Sequence, residues 1–219
     1  MGGTRVKQLE ELATTLDHAG IEWWVTCGTL LSLIREGGLF PDDAIDIEVW
    51  APSWEAVDRE LRAAGYRVRP HPYRGMIYKL WATHPERDRS VDVHVLRQTD
   101  GVVWYPVKAN LGAERGPIGF ARRAFRRLWR STSLLDTSRA AERVLGWLRF
   151  RIHSVQVPAS LYGTHERRRL GGIDLPVPSP PESVLEFHYG DWQTPVRVWD
   201  MSTDDPSYIW GPPPGHDGN

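Results

Sequence analysis

Two carboxylates on one short strand have the clearest potential for chemistry in this chain of 219 residues. Asp46 and Glu48 lie in the segment AIDIEVW (44–50), where acidic and apolar residues alternate. Residues two apart on a strand point to the same face, so both carboxylates project together while the apolar residues face the core. Paired carboxylates repel each other unless a cation lies between them, and Mg²⁺ is usually held by one or two carboxylates plus substrate phosphates. The pair therefore predicts a Mg²⁺ or Mn²⁺ site.

A phosphate-binding turn is predicted just before this strand. The run CGTLLSLIRE (27–36) follows a short apolar strand, so a helix begins at Gly28 and Thr29. The start of a helix offers free backbone N–H groups and the positive end of the helix dipole, and Thr29 adds a hydroxyl. Arg35 on the same helix adds a guanidinium that suits a phosphate. These residues predict binding of a phosphorylated donor.

A later strand carries two more polar side chains on one face. In SVDVHVL (90–96), Asp92 and His94 alternate with valines. If this strand pairs beside the first acidic strand, Asp92 completes a three-carboxylate metal site or takes the acceptor proton as a general base. His94 is a second candidate base, although packing is the simpler interpretation. Each feature alone is also typical of a solvated sheet face, but their order and spacing together favour a site.

The same residues resemble a known sequence pattern. A Gly-Thr turn that opens a helix, paired carboxylates on the next strand and a later aspartate resemble the DNA polymerase β-like nucleotidyltransferase superfamily. Within it, GTLLSLIREGGLFPDDAIDI (28–47) resembles the LicD/fukutin-related pattern GTLLGxxRxxGxIPWDDDIDI. The segment VPSPPESVLEFHYGDWQTPV (177–196) resembles that family's second hallmark, a proline-bounded helix ending in Tyr-Gly-Asp. These matches cover about a third of the chain.

The resemblance implies a phosphotransferase. The reaction would move a phosphoalcohol, such as phosphocholine or ribitol phosphate, from a CDP-activated donor to a hydroxyl of a sugar or glycan. The resemblance also implies that Gly28 and Thr29 hold donor phosphate with Arg35 beside them. Tyr189 and Asp191 of the second hallmark would then line the acceptor side.

One position departs from the family pattern. Three residues match the family's acidic cluster, namely Asp42, Asp43 and Asp46. The match makes Asp43 a further candidate metal ligand. Ala44, however, stands where the family has a metal-binding aspartate. Two interpretations are possible. In the first, which we favour, the metal pair has moved along the strand to Asp46 and Glu48. In the second, the protein binds a nucleotide without turnover. A third interpretation is a small-molecule nucleotidyltransferase that transfers NMP from an NTP to the hydroxyl of an antibiotic or sugar.

These side chains need a sheet to position them. The predicted helices cover residues 9–19, 29–35, 53–64, 118–130, 138–151 and 181–188, and the predicted strands cover residues 21–27, 44–50, 66–69, 76–82, 90–96 and 102–105. This order predicts an α/β (α+β) fold, a nucleotidyltransferase-type mixed sheet flanked by helices with a more helical C-terminal half. We expect a catalytic core over 1–112, an arginine-rich helical part with the Tyr-Gly-Asp motif over 113–202, and a loosely ordered tail over 203–219.

The charge is distributed unevenly along the chain. The formal net charge is -1, yet residues 113–170 hold 13 arginines against four acidic residues. This segment predicts a solvated face, a pocket for an anionic donor, or a membrane-surface contact through the basic amphipathic stretch 118–130. Nucleic acid is a less favoured partner because no known binding module appears.

Composition also excludes some classes of protein. A single cysteine, Cys27, excludes an internal disulfide framework and a cysteine-based zinc cluster. No stretch approaches the roughly 20 apolar residues of a membrane-spanning helix, and the first residues lack the apolar core of a signal peptide. We therefore expect a cytoplasmic protein, with peripheral attachment to a membrane as the alternative.

Overall fold

A mixed β-sheet runs through the part of the chain that the computed structural model describes, which is residues 3–40, 44–73, 75–87, 89–110, 150–196, 199–210 and 214. The helices in these residues are α1 (Gly3–His18), α2 (Cys27–Glu36), α3 (Trp54–Ala63), α4 (Pro181–Tyr189) and α5 (Met201–Asp204). The strands are β1 (Trp23–Val25), β2 (Ile45–Trp50), β3 (Arg67–Tyr73), β4 (Met76–Thr83), β5 (Val91–Thr99), β6 (Val102–Asn110), β7 (Phe150–Pro158), β8 (His165–Leu170), β9 (Ile173–Pro178) and β10 (Tyr208–Trp210). The predicted α/β fold, with a mixed sheet flanked by helices, is confirmed.

The order of the strands brings the two acidic strands together. The main sheet runs β1-β2-β5-β6-β7-β10, with β4 also paired to β5 and β3 to β4, while β8 and β9 form a separate hairpin. β2 and β5 are parallel, and the other described pairs are antiparallel. A parallel pair needs a long crossover, here supplied by α3 and the β3–β4 hairpin. Asp46 lies opposite Asp92 in this pair, and Glu48 lies opposite His94.

The core fixes which face of β2 carries the carboxylates. Ile45, Ile47 and Val49 are at most 1% exposed and pack with the apolar face of α1. Because side chains alternate along a strand, Asp46 and Glu48 must lie on the opposite face. Trp24 on β1 is fully buried and belongs to a second apolar cluster.

The C-terminal half contributes more to the sheet than the sequence predicts. β7 pairs along its whole length with β6, so residues on both sides of the predicted boundary at 113 belong to one sheet. The helix predicted over 138–151 is wrong at its last two residues, which begin β7, and its remainder lies outside the described residues. The three β-branched residues of RIHSVQV, Ile152, Val155 and Val157, favour the strand. The predicted helix 118–130 and most of the arginine-rich segment also lie outside the described residues.

Part of the predicted tail is folded. β10 pairs with β7, and Tyr208 is 7% exposed with its ring stacked on His153 at 4.7 Å between centroids. Asp205 and Ser207 are buried as well. The structure therefore differs from the loosely ordered tail expected from Pro, Gly and Asp content, because the short run Tyr208–Trp210 has enough β-propensity and apolar surface to pair. No helix in the described residues is long and apolar enough to cross a membrane.

Candidate active site

The start of α2 is built against β2. Thr26 is extended, and Cys27 then takes a φ of 47°, a left-handed conformation that is strained for a residue with a side chain. The Thr29 hydroxyl accepts a hydrogen bond from the backbone N–H of Asp46 at 2.8 Å and donates to the Ala44 carbonyl at 3.5 Å. This hydroxyl, predicted to hold donor phosphate, therefore holds the beginning of β2 in place. The N–H groups of the first helical turn are the ones that lack partners within the helix.

The pairing of β2 with β5 sets two aspartates side by side. Asp46 and Asp92 are direct partners in the parallel register and line the same cavity. Lys79 of β4 forms an ion pair with Oδ2 of Asp92. Oδ1 of Asp92 is buried and has no hydrogen-bond partner among the described residues. A buried carboxylate oxygen without a partner is costly, so a cation at this place would satisfy it.

These donors suit a hard divalent cation. Two neighbouring carboxylates are a normal protein contribution to Mg²⁺ when substrate phosphates supply the other oxygens. Within the described ranges, no three His, Cys, Asp or Glu side chains are gathered as a metal site. The candidate ligand Asp43, like Asp42, lies outside the described residues.

Glu48, the second carboxylate of the predicted pair, is bound by the protein itself. Its Oε2 accepts a hydrogen bond from Trp24 Nε1 at 2.7 Å, and its Oε1 accepts one from the Tyr162 hydroxyl at 3.5 Å. The residue is 2% exposed, and burial raises the pKa of its carboxyl. The predicted metal role of Glu48 is not tested by these contacts, but they give it a buried structural role that the sequence did not reveal.

His94 is an unfavourable place for a proton. Its ring packs against Tyr105 at 5.0 Å between centroids. Burial, and after it the neighbouring Lys79, lower the pKa of His94 to about 3. An imidazole with so low a pKa is a weak proton acceptor near pH 7, which favours the packing interpretation over its use as a general base.

One cavity of about 650 Å³ gathers most of the predicted site. The predicted residues that line it are Gly28, Arg35, Asp46, Glu48, Asp92, His94, Tyr189 and Asp191. Its aromatic lining consists of Phe40, Tyr105, Tyr189, Trp192 and Trp199, and the rings of Tyr189 and Trp199 lie 4.8 Å apart. The second sequence hallmark thus meets the acidic strands, although Tyr189 is 143 positions from Asp46 and 97 positions from Asp92 in the sequence.

Arg35 connects α2 to the segment that follows α4, and both line this cavity. Its guanidinium donates to the Trp192 carbonyl at 3.2 Å, pairs with Glu36 at 2.7 Å and lies 5.3 Å from the centre of the Phe40 ring. The side chain predicted to bind donor phosphate is therefore already engaged in tying α2 to the segment after α4. α2 itself is capped by Gly37, which takes the left-handed conformation that favours glycine at the end of a helix.

No family model and no curated protein matches the chain. Among solved structures it is similar to the lincosamide antibiotic adenylyltransferase LnuA with lincomycin bound, at 16% identity over 84% of this chain and 85% of that one, with a TM-score of 0.47. It is also similar to the antibiotic-resistance factor ANT(2'')-Ia in solution, at 18% identity over 46% and 51% of the chains, with a TM-score of 0.39.

A crystal structure of ANT(2'')-Ia with adenylyl-2''-tobramycin is similar at 18% identity over 44% of this chain and 52% of that one, with a TM-score of 0.37. The chain thus spans about half the length of ANT(2'')-Ia. At TM-scores below 0.5 these likenesses carry no assignment of activity, and they give no support to the LicD/fukutin-related family in particular.

Several residues of the cavity were missed by the sequence analysis. They are Lys79, Tyr105, His188 and Asp205. Lys79 is the only lysine in the strand MIYKLWAT, and a lone charge in an apolar strand was the one available signal for it. Asp205 carried no signal because its surroundings, TDDPSY, read as a loop.

The single cysteine offers a chemical probe of the charge around the acidic strand. Burial raises the pKa of the Cys27 thiol well above its usual range, and the charges of Asp46 and Glu48 raise it further. We expect iodoacetamide at pH 8 to alkylate Cys27 about tenfold or more slowly than free glutathione, because the thiolate is the reactive form. D46N removes one of the two charges and should speed alkylation severalfold, as followed by mass spectrometry. D174N, an exposed strand aspartate, is the matched control, and equal rates in all three proteins would contradict the charge arrangement.

Proposed function

We propose that this protein is a metal-dependent nucleotidyltransferase that moves a nucleotidyl group from an NTP to a hydroxyl of a small molecule. The observation that carries this proposal is the pairing of Asp46 with Asp92 in one cavity with the first turn of α2. Oδ1 of Asp92 is buried there and has no hydrogen-bond partner within the part of the chain that the structure describes. Carboxylates that bind a cation, next to N–H groups that bind phosphate, are what transfer of a phosphoryl-linked group requires.

In this proposal each group has a separate task. Asp46 and Asp92 would hold Mg²⁺ or Mn²⁺, with Glu48 as the predicted further carboxylate. The bound ion would neutralise charge on the phosphate during in-line displacement by the acceptor hydroxyl. The backbone at Gly28 binds a donor phosphate oxygen at the positive end of α2. Lys79 keeps Asp92 oriented through their ion pair.

The shape and lining of the cavity favour a small acceptor. A volume of about 650 Å³ lies within the range of roughly 300 to 1,000 Å³ that is usual for small-molecule sites. The rings of Tyr189, Trp192 and Trp199 add apolar surface on which a compact ligand can stack. A compact acceptor therefore suits this cavity.

A second candidate keeps the CDP-activated donor. Tyr189 and Asp191 of the Tyr-Gly-Asp hallmark line the same cavity as the acidic strands. Their position favours the LicD-like phosphotransferase that the sequence resemblance implies, acting on a small sugar acceptor. Ala44 keeps open a third possibility, a member that binds nucleotide without turnover.

Product analysis separates these candidates. The purified protein would be incubated with each NTP, CDP-choline or CDP-ribitol, in Mg²⁺ or Mn²⁺, with glycerol, lincomycin or tobramycin as acceptor probes. We expect release of pyrophosphate from an NTP, abolished by EDTA, and formation of the nucleotidylated acceptor by mass spectrometry. Release of CMP from a CDP-alcohol would support the phosphotransferase instead. Nucleotide binding by calorimetry without either product would support the member without turnover.

A further inference from the structure

The proposed transfer reaction needs a general base for the acceptor hydroxyl, and a histidine outside the acidic strands is placed in the same cavity. We infer that His188 is the general base that takes the proton of the acceptor hydroxyl, and that Asp205 is the residue that positions it. The inference rests on the proposed function, because it concerns the transfer step in the same cavity.

The contact between His188 and Asp205 is well defined. Nδ1 of His188 lies 3.0 Å from Oδ2 and 3.2 Å from Oδ1 of Asp205. Asp205 is 6% exposed, and its Oδ1 accepts a hydrogen bond from the Ser207 backbone N–H at 2.8 Å. The Ser207 hydroxyl lies 3.3 Å from the same ring nitrogen. A buried carboxylate fixed by the backbone thus holds one edge of the imidazole.

This contact determines which nitrogen is available. A carboxylate accepts, so Nδ1 carries the hydrogen and donates it to Asp205. In the neutral ring, Nε2 then bears the free lone pair, the arrangement in which a carboxylate orients a histidine base. His188 lines the cavity, its side chain is 14% exposed, and no hydrogen bond to Nε2 occurs within the described ranges.

The carboxylates of the acidic strands β2 and β5 are already committed to other contacts. Asp92 is paired with Lys79 and, in the proposed function, shares a cation with Asp46. Glu48 accepts hydrogen bonds from Trp24 and Tyr162. Glu48 on β2 also interacts electrostatically with His188.

The transfer step balances with these groups. Nε2 of neutral His188 accepts the hydroxyl proton as the acceptor oxygen forms a bond to the α-phosphorus of the NTP. The bond from the α-phosphorus to the oxygen that bridges to the β-phosphate breaks, and its electron pair leaves with pyrophosphate. The imidazolium then returns its proton to solvent.

The test depends on variants that separate chemistry from support. H188N places an amide N–H where Nδ1 stood, so it keeps the bond to Asp205 and removes Nε2. We expect kcat for pyrophosphate release to fall about 10²-fold to 10⁴-fold, with nucleotide affinity and Tm nearly unchanged.

H188A should lose activity to a similar degree and regain part of it when free imidazole is added. D205N should also lower kcat, because its Oδ1 still accepts from the Ser207 N–H and its amide N–H₂ then faces Nδ1, which favours the tautomer with the hydrogen on Nε2. H18N changes a histidine at the end of α1 that also has Nδ1 bonded, and should behave like the wild type.

The possible failures are distinguishable. Wild-type protein that releases neither pyrophosphate nor CMP overturns the proposed function and this inference with it. Wild-type protein that turns over, together with an H188N variant that keeps more than a third of kcat, overturns the inference alone. Loss of Tm in H188N that matches its loss of activity, without rescue of H188A by imidazole, assigns His188 a purely structural role and also overturns it.

Discussion

Replacing Asp46 with asparagine is expected to lower kcat/KM about 10³-fold or more, because several kcal/mol of charge stabilisation at the phosphate depend on the bound cation. The asparagine is nearly the same size, and the backbone N–H of residue 46 still donates to Thr29. We therefore expect the fold and Tm to be almost unaffected. Steady-state kinetics with the best donor and thermal unfolding of the same preparation would measure both.

The loss should appear in metal binding as well as in rate. Titration of Mn²⁺ followed by electron paramagnetic resonance would report binding without any turnover. We expect weaker binding in D46N and in D92N, since both remove a carboxylate from the pair that β2 and β5 bring together. D174N replaces an exposed aspartate on β9 and is the control for the chemical change alone. Unchanged Mn²⁺ affinity together with unchanged kinetics in D46N would contradict the site assignment.

Replacing Glu48 with glutamine is expected to stabilise the protein and impair it at the same time. Burial raises the pKa of Glu48, which means that the folded protein holds its charge at a free-energy cost. The amide oxygen of glutamine can still accept from Trp24 Nε1, and its N–H₂ group can donate to the Tyr162 oxygen. We expect the free energy of unfolding without ligands at pH 8 to rise by about 1 kcal/mol, or roughly 3 °C in Tm for a chain of this size.

The dependence of this gain on pH follows from the direction of the pKa shift. A carboxyl with a raised pKa in the folded state contributes stability that is fully present below its unfolded pKa and is lost as pH rises through its folded pKa. The difference between E48Q and the wild type should therefore be small near pH 4 and reach its full size above the raised pKa. Urea unfolding at several pH values would measure it, and a stability difference that is constant with pH would contradict the buried charge.

The activity of E48Q then decides how Glu48 takes part. A loss of about tenfold to 100-fold is typical of groups that support metal ligands rather than bind the ion. A loss as large as that of D46N would instead place Glu48 among the direct ligands, as the shifted-pair interpretation of the sequence predicts. E60Q, on the solvent-facing side of α3, is the matched control.

The parts of the site that could be predicted are those encoded over short distances. The alternation in AIDIEVW and the Gly-Thr turn both report local geometry, and the structure places Asp46 and Gly28 in one cavity. The sequence suggested a three-carboxylate site only if β2 pairs with β5, and the structure shows this pairing, with Asp46 opposite Asp92. Local periodicity is enough for such features because each strand shows its buried face within six residues.

The remaining features depend on contacts between distant residues. Lys79 reaches Asp92 only because β4 lies beside β5, and a strand pairing of this kind is not visible in either segment alone. Glu48 appeared to be one of two equivalent carboxylates, yet the indole of Trp24 on the neighbouring strand gives it a different environment from Asp46. His188 and Asp205 meet because β10 returns to the sheet, and a pattern rich in Pro, Gly and Asp gave no indication of that strand.

Asp205 lies between α5 and β10, late in the sequence, and this position affects the order in which the site is completed during synthesis. The two acidic strands, the start of α2 and α4 have all left the ribosome before Asp205 does, so the groups proposed to hold the donor come first. Asp205, the partner of His188, and the strand β10 that follows it come later. A chain interrupted between α4 and β10 would therefore carry the groups proposed to hold the donor together with a histidine that lacks Asp205.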